Sequence, residues 1–245
     1  MRSASLLAFL ALTAAPALFA GPCVPDLLSN YISLGATGCQ NGAFTVNNFG
    51  FIPLPGNNFT ILASDITVTP NSGPASYGLD FTSPKFNLTG TEIAKYLLSY
   101  TDPGDLRSFE DIMNATTPVN PGFATITTDT CPGAAFGLGG SCVNPIQTVI
   151  VTDNGLTATL MASTDYIPSV GILGVRNTID LEANNALSQI AGFQNIAFVP
   201  EPSTLVGGLL ALATAVCRRR LDRSQRGLQF LPGFRNRAAR LGGRQ

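Results

Sequence analysis

Short runs of alternating apolar and polar residues recur along most of the chain, and clusters of Gly, Pro and Asn separate them. A period of two indicates strands with one buried face, whereas the clusters indicate turns. The predicted strands are residues 43–52, 59–69, 77–82, 86–88, 93–100, 122–130, 148–152, 156–161, 175–181 and 190–198. This spacing predicts an all-β fold, an antiparallel β-sandwich of jelly-roll-like topology, with a β-barrel as the alternative.

Three local features add to this pattern. Asn154-Gly155 lies between two runs rich in β-branched residues, which predicts a hairpin. The apolar face changes sides at Asn47-Asn48, which predicts a bulge in the first long strand. For residues 109–113 we expect a short helix or turn.

The N-terminal residues have the pattern of a secretory signal peptide. Arg2 precedes an apolar run over residues 6–12, and small residues then extend to Ala20, after which we expect cleavage. A retained N-terminal anchor is the alternative. Removal of residues 1–20 would leave an exported chain.

A second apolar run covers residues 205–217, and Arg218, Arg219 and Arg220 follow it directly. This run would form a helix about 20 Å long, which is shorter than the ~30 Å hydrocarbon core of a bilayer. Addition of Ser203 and Thr204 to the span, together with snorkelling of the arginine side chains, would nearly close the gap. We therefore predict a short transmembrane helix that anchors the chain temporarily, with the arginines on the cytoplasmic side. A buried core helix is the alternative, and the consecutive arginines disfavour it.

The formal net charge of −1 conceals two oppositely charged parts. Residues 21–199 carry thirteen acidic and four basic side chains, a net charge of −9, whereas residues 218–245 carry nine arginines and one aspartate, a net charge of +8. The acidic part would repel phosphates, which argues against nucleic acid as a partner. Because the basic part follows a predicted span, we expect it to face the anionic inner leaflet, with residues 221–245 as a disordered tail.

Residues 199–220 resemble the PEP-CTERM sorting signal of Gram-negative bacteria, because Pro200-Glu201-Pro202, an apolar run and a basic cluster occur in that order. The resemblance implies retention in the inner membrane, cleavage by an exosortase near Pro200-Glu201-Pro202, and a link to exopolysaccharide and biofilm. The two prolines hold the backbone extended and outside any helix. The chain departs from the usual pattern in the 25 residues that follow the basic cluster.

The start of the mature chain also looks similar to other PEP-CTERM ectodomains, in which a loop between two cysteines precedes a strand with two phenylalanines. The matching residues here are Cys23, Cys39, Phe44 and Phe49. This similarity implies a β-rich exported domain without known enzymatic activity. The expected organisation is a signal peptide over residues 1–20, a β-sandwich ectodomain over 21–198, a sorting signal over 199–220 and a basic tail over 221–245.

Four cysteines remain once Cys217, which would leave with the sorting tail, is set aside: Cys23, Cys39, Cys131 and Cys142. An even number in an exported chain predicts disulfides. Three pairings are open, and Cys23–Cys39 with Cys131–Cys142 closes the shortest loops. A zinc site is the rival interpretation, but it would require Cys-x-x-Cys pairs or histidines.

The chain contains no His, which excludes Ser-His-Asp and Cys-His catalysis and histidine metal sites. The remaining candidates are the carboxylates Asp102, Asp105, Glu110 and Asp111. We expect a solvated turn in which Arg107 pairs locally. The alternatives are a weak calcium site and a hydrolase that uses two carboxylates.

These features together predict a non-enzymatic protein without a cofactor. We expect it to pass through an inner-membrane intermediate, with the ectodomain in the periplasm, and then to reach the cell surface or the extracellular matrix. The expected partners are the secretion machinery, the exosortase, the inner membrane and extracellular polysaccharide. The alternative is a carbohydrate-binding module or adhesin, calcium-dependent or not. The lack of Trp disfavours it, whereas four tyrosines are candidate aromatic contacts: Tyr77, Tyr96, Tyr100 and Tyr166.

Overall fold

The computed structural model describes residues 20–42 and 44–200. The predicted signal peptide up to residue 19 lies outside the described residues. Glu201, Pro202, the apolar run 205–217, Arg218, Arg219, Arg220 and the tail 221–245 also lie outside them. The described residues therefore correspond to the predicted ectodomain.

Strands dominate the described residues, as the alternating pattern predicts. The strands are β1 Asp26–Leu27, β2 Cys39–Asn41, β3 Phe44–Pro53, β4 Thr67–Ser72, β5 Ser76–Thr82, β6 Asn87–Gly90, β7 Ile93–Thr116, β8 Phe123–Pro132, β9 Gln147–Asp153, β10 Ala158–Thr159, β11 Met161–Glu182 and β12 Ala186–Phe198. The α-helix within the described residues, α1, covers Leu28–Ser33, and two short 3-10 turns cover Ala63–Asp65 and Leu138–Gly140. Every strand pairing among these elements is antiparallel.

Two long strands, β7 and β11, organise the sheet because they pair with each other from Met161↔Ile112 to Glu182↔Ile93. The first half of β7 and the second half of β11 lie in one layer, in the order β3-β7-β11-β8-β9-β10. The second half of β7 lies in another layer, in the order β1-β4-β5-β12-β7. The strands β1 and β10 are the two ends of the strand order. They do not pair with each other within the described residues, so this sheet is not a closed barrel.

The two layers face each other across a common core, which makes the fold sandwich-like. Within one layer, Phe81 of β5 stacks on Phe193 of the neighbouring strand β12, with the ring centroids 4.9 Å apart. Phe44 of β3 stacks on Tyr77 of β5 at 4.1 Å, which links the two layers. Fully burying one such side chain contributes about 1.5–3 kcal/mol to folding.

The structure confirms two of the local predictions. β9 and β10 form the expected hairpin around Asn154-Gly155, and Gly155 has a positive φ of 76° that a residue with a Cβ rarely adopts. The register between β3 and β7 shifts between Asn47 and Gly50, which confirms the bulge at Asn47-Asn48.

The prediction of a helix or turn over residues 109–113 is wrong, because these residues continue β7. The predicted strands 93–100 and 175–181 were also too short, since β7 and β11 extend well beyond them. Pro103-Gly104 and Pro168 signal turns in the sequence. In the fold they lie instead where the two strands bend from one layer to the other.

Both disulfides have the pairing that closes the shortest loops. Cys23 bonds Cys39 with the Cα atoms 4.9 Å apart, and Cys131 bonds Cys142 with the Cα atoms 5.6 Å apart. Both distances lie in the normal range for a disulfide. Two such bonds indicate an oxidising, extracytoplasmic environment.

We expect the double variant Cys23→Ala, Cys39→Ala to lower the free energy of unfolding by about 3 kcal/mol, because the bond closes a loop of 16 residues in the unfolded chain. Chemical denaturation of the ectodomain measures this loss. Reductant should destabilise the double variant less than the parent chain, since only Cys131–Cys142 remains for it to break. Equal stability of variant and parent would contradict the prediction.

Candidate functional site

A pocket of about 410 Å³ lies where β7 and β11 bend. Ser108 pairs with Asp165 and Leu106 pairs with Val170, so the single residue Arg107 on β7 faces four residues, 166–169, on β11. The extra residues form a bulge, which we call the 166–169 bulge. We call the cavity beside it the Arg107 pocket.

The Arg107 pocket combines opposite charges with an apolar wall. Arg107 and Asp165 both line it and both are exposed, yet these two described residues do not form an ion pair with each other. Ile167 and Pro168 supply the apolar wall, and Pro200 lies at the rim. This pocket is not predictable from the sequence, because only the register of β7 and β11 brings Arg107 opposite the bulge.

Arg107 differs from the other cations of the described residues, each of which has an acidic partner. Lys85 pairs with Asp65 at 2.8 Å, and Arg176 pairs with Asp129 at 2.7 Å. Lys95 pairs with Asp180 at 3.0 Å and also contacts Glu182. Arg107 has no ion-pair partner among the described residues, so the prediction that it pairs locally is wrong.

A second polar group lies inside the sandwich and joins its two layers. Asn177 of β11 donates to Asn195 of β12 at 2.8 Å, and Asn195 donates to Asp111 of β7. Tyr100 donates to the same Asn195 oxygen at 3.2 Å, and Thr128 donates to Asn177 at 2.6 Å. These side chains form a continuous network that includes strands that are not neighbours in the sheet.

The sequence contains a signal for this network. Asn177 interrupts an inward-facing series of apolar residues on β11, between Val175 and Ile179. Asn195 does the same on β12, between Phe193 and Ala197. An amide at an apolar position in a strand indicates a buried polar contact, since buried polar groups are normally hydrogen-bonded.

The four candidate carboxylates separate into different environments. Asp102 and Asp111 are buried, with exposed fractions of 3% and 1%. Asp105 is exposed, and Glu110 is half-buried on the opposite face of β7 from its neighbour Asp111. A solvated turn is therefore the wrong description of this segment. No group of three or more acidic, Cys or His side chains that could hold a metal lies within the described residues.

Burial dominates the protonation of the two inner carboxyls. It raises the pKa of Asp102 to about 7, and the hydrogen bond that Tyr77 donates at 2.9 Å opposes part of this rise. Burial also raises the pKa of Asp111 to about 7, against an opposing hydrogen bond from Asn195. The Oδ2 atom of Asp111 has no hydrogen-bond partner among the described residues. A protonated carboxyl avoids the cost of a buried, incompletely paired charge.

The tyrosines that were candidate glycan contacts lie in the core. Tyr77, Tyr96, Tyr100 and Tyr166 are each at most 5% exposed. Their rings therefore pack inside the sandwich and do not form an outer aromatic surface.

The last strand of the described residues ends directly before the predicted sorting motif. β12 ends at Phe198, and the N–H of Val199 donates to the carbonyl of Ala75 at 3.1 Å. Pro200 is the last described residue. Among the described residues no helix is long and apolar enough to cross a membrane.

We expect the ectodomain to be more stable in acid than at neutral pH. Asp102 and Asp111 have a folded-state pKa of about 7 and an unfolded value near 3.8, so the folded state binds more protons between these values. Stability is therefore full below about pH 4 and is lost as the pH rises through about 7, by on the order of 4 kcal/mol per carboxyl. The free energy of unfolding measured at about pH 5 and about pH 8 tests this.

Asp111→Asn should remove about half of this pH dependence, because an amide of the same shape does not ionise and Asp102 still does. Asp105→Asn is the matched control on the same strand, and its exposed side chain should leave the slope unchanged. The same slope in the Asp111→Asn variant and the parent chain would refute the assignment.

Two tyrosine variants test the buried hydroxyl groups independently. Tyr77→Phe removes the donor to the buried Asp102 and should cost about 1–3 kcal/mol. Tyr96→Phe removes a buried hydroxyl that has no hydrogen-bond partner among the described residues, and it should be neutral or stabilising. Denaturation of both variants gives the comparison, and equal losses would contradict it.

The chain was also compared with known proteins. No protein-family model matches it, and no curated protein matches it. Among solved structures it is similar to TmCBM61 in complex with beta-1,4-galactotriose, at 11% sequence identity and a TM-score of 0.26, over 71% of this chain and 94% of that chain. A TM-score this low carries no argument about what the present chain binds.

Proposed function

We propose that this chain is a non-enzymatic exported protein, built on a jelly-roll-like β-sandwich and sorted by the PEP-CTERM/exosortase route to the cell envelope or the extracellular polysaccharide matrix. The observation that carries the proposal is the position of Pro200-Glu201-Pro202. The motif begins two residues after Phe198, where the last strand, β12, ends.

Cleavage at this position suits a domain that must survive release. The buried core residues of the described ectodomain all precede Pro200, and the last of them is Ala197. Loss of the chain beyond residue 202 would remove none of the strands in the described residues. Because proline restricts the backbone and disfavours a helix, we expect the motif to bind the protease in an extended conformation.

The covalent and electrostatic properties of the ectodomain also support export. Two disulfides close local loops, and such bonds persist outside the cytoplasm. The net charge of −9 on residues 21–199 contrasts with +8 on residues 218–245, which fits a body outside the membrane and a tail inside it.

The inner carboxylates support a structural role more than a catalytic one. Asp102 and Asp111 are buried between the layers, where they accept hydrogen bonds from Tyr77 and Asn195. A hydrolase of the two-carboxylate type needs both groups in an open cleft that admits the substrate.

A carbohydrate-binding module or adhesin, with or without calcium, is the second proposal for the mature domain. It would use surfaces other than the four buried tyrosines. A glycan array with and without Ca²⁺ tests it.

The proposed sorting is tested by the intact mass of the full chain expressed in a host with an exosortase and in the same host without it. We expect loss of everything beyond the region of Pro200-Glu201-Pro202 only in the first strain. Glu201→Ala should reduce this processing, whereas Asp222→Ala, which changes an acidic residue beyond the basic cluster, should not. A full-length chain in both strains would overturn the proposal.

A further inference from the structure

The Arg107 pocket lies close to the predicted membrane anchor along the chain. Pro200 lines this pocket, and the predicted span begins at residue 205. Five residues reach at most about 18 Å when fully extended. While the chain is anchored, the pocket must therefore stay within about 18 Å of the membrane boundary.

The pocket carries two opposite charges that do not form an ion pair with each other. The guanidinium of Arg107 and the carboxylate of Asp165 line the same cavity, and these two described residues do not neutralise each other in an ion pair. This arrangement is complementary to a zwitterion, in which an anionic and a cationic group are joined by a short linker. Guanidinium groups pair well with phosphate, and carboxylates pair with ammonium groups.

The wall beside these charges is apolar and projects outward. Ile167 is 93% exposed and is followed by Pro168 in the bulge. An apolar side chain next to a headgroup site can enter the interface between headgroups and acyl chains, where its burial is favourable.

We infer that the Arg107 pocket is a docking site for a zwitterionic phospholipid headgroup at the membrane surface. Arg107 contacts the headgroup phosphate, Asp165 contacts the ammonium group, and Ile167 enters the interface. The inference rests on the proposed function, because it requires the tail anchor. The anchor also makes docking intramolecular. The headgroup therefore occupies the pocket even if its affinity for the free domain is low.

This docking would fix the orientation of the ectodomain before cleavage. It places the β7–β11 bend toward the membrane and the far end of β12 away from it. Val119 marks that far end, since it bridges to Leu187, eleven residues from Phe198 along β12. A strand of that length spans about 36 Å.

The chain contains no Trp, so one introduced Trp reports a single position. We would reconstitute the full chain carrying Ile167→Trp into vesicles of phosphatidylethanolamine and phosphatidylcholine, some with brominated acyl chains. The expected result is blue-shifted emission that the brominated lipids quench. Val119→Trp, at a 55% exposed position of the far end, is the matched control and should show neither effect.

Two charge variants in the Ile167→Trp background test the headgroup contacts. Arg107→Gln and Asp165→Asn should each reduce the quenching several-fold. Asp105→Asn removes an exposed carboxylate of β7 that does not line the pocket, and it should leave the quenching unchanged.

The outcomes separate this inference from the proposed function. A chain that fails to float with the vesicles overturns the tail anchor and the docking together. If the chain floats but the indole of the Ile167→Trp variant is as exposed as that of the Val119→Trp variant, the docking alone is overturned. Quenching that neither Arg107→Gln nor Asp165→Asn reduces would overturn the headgroup assignment.

Discussion

The pairing of β7 with β11 is the constraint on which the rest of this structure depends. The two strands remain hydrogen-bonded while they bend from one layer to the other, so each contributes to both halves of the sandwich. β3, β8 and β12 pair directly with one of them, and the other strands attach through these three. The bend also creates the register shift that leaves residues 166–169 unpaired opposite Arg107. This irregularity of the sheet is therefore a consequence of its main organising contact.

The interior of the sandwich shows how polar residues can hold two sheets in one relative position. Apolar packing is not directional, whereas the hydrogen bonds from Asn177 to Asn195 and from Asn195 to Asp111 are satisfied in one alignment of the layers. Polar groups in the interior have a cost, because the buried carboxyls of Asp102 and Asp111 are more favourable protonated than charged. A domain secured in this way gains specificity of packing, and its stability is linked to pH.

The residues that form the described strands and the residues of the proposed sorting motif are separate along this chain. The last described strand ends at Phe198, the N–H of Val199 donates to the carbonyl of Ala75, and the proposed motif starts at the next residue. The disulfides and the buried core of the described residues all precede the proposed motif. Pro200, the first residue of that motif, also lines the Arg107 pocket.

The sequence by itself determined the fold class, the Asn154-Gly155 hairpin and the bulge at Asn47-Asn48, and it favoured the shortest-loop disulfides over the two other pairings. These features depend on neighbouring residues: alternation with a period of two, loop closure and backbone conformations that favour Gly or Asn. Only the tertiary structure decided that Pro103-Gly104 and Pro168 bend long strands instead of ending them. It also decided that Asp102 and Asp111 point inward while Asp105 stays in solvent, and that Arg107 faces the 166–169 bulge. These outcomes depend on the register between β7 and β11, whose paired residues are about 50 to 90 positions apart in the chain, and no local pattern encodes a contact at that distance.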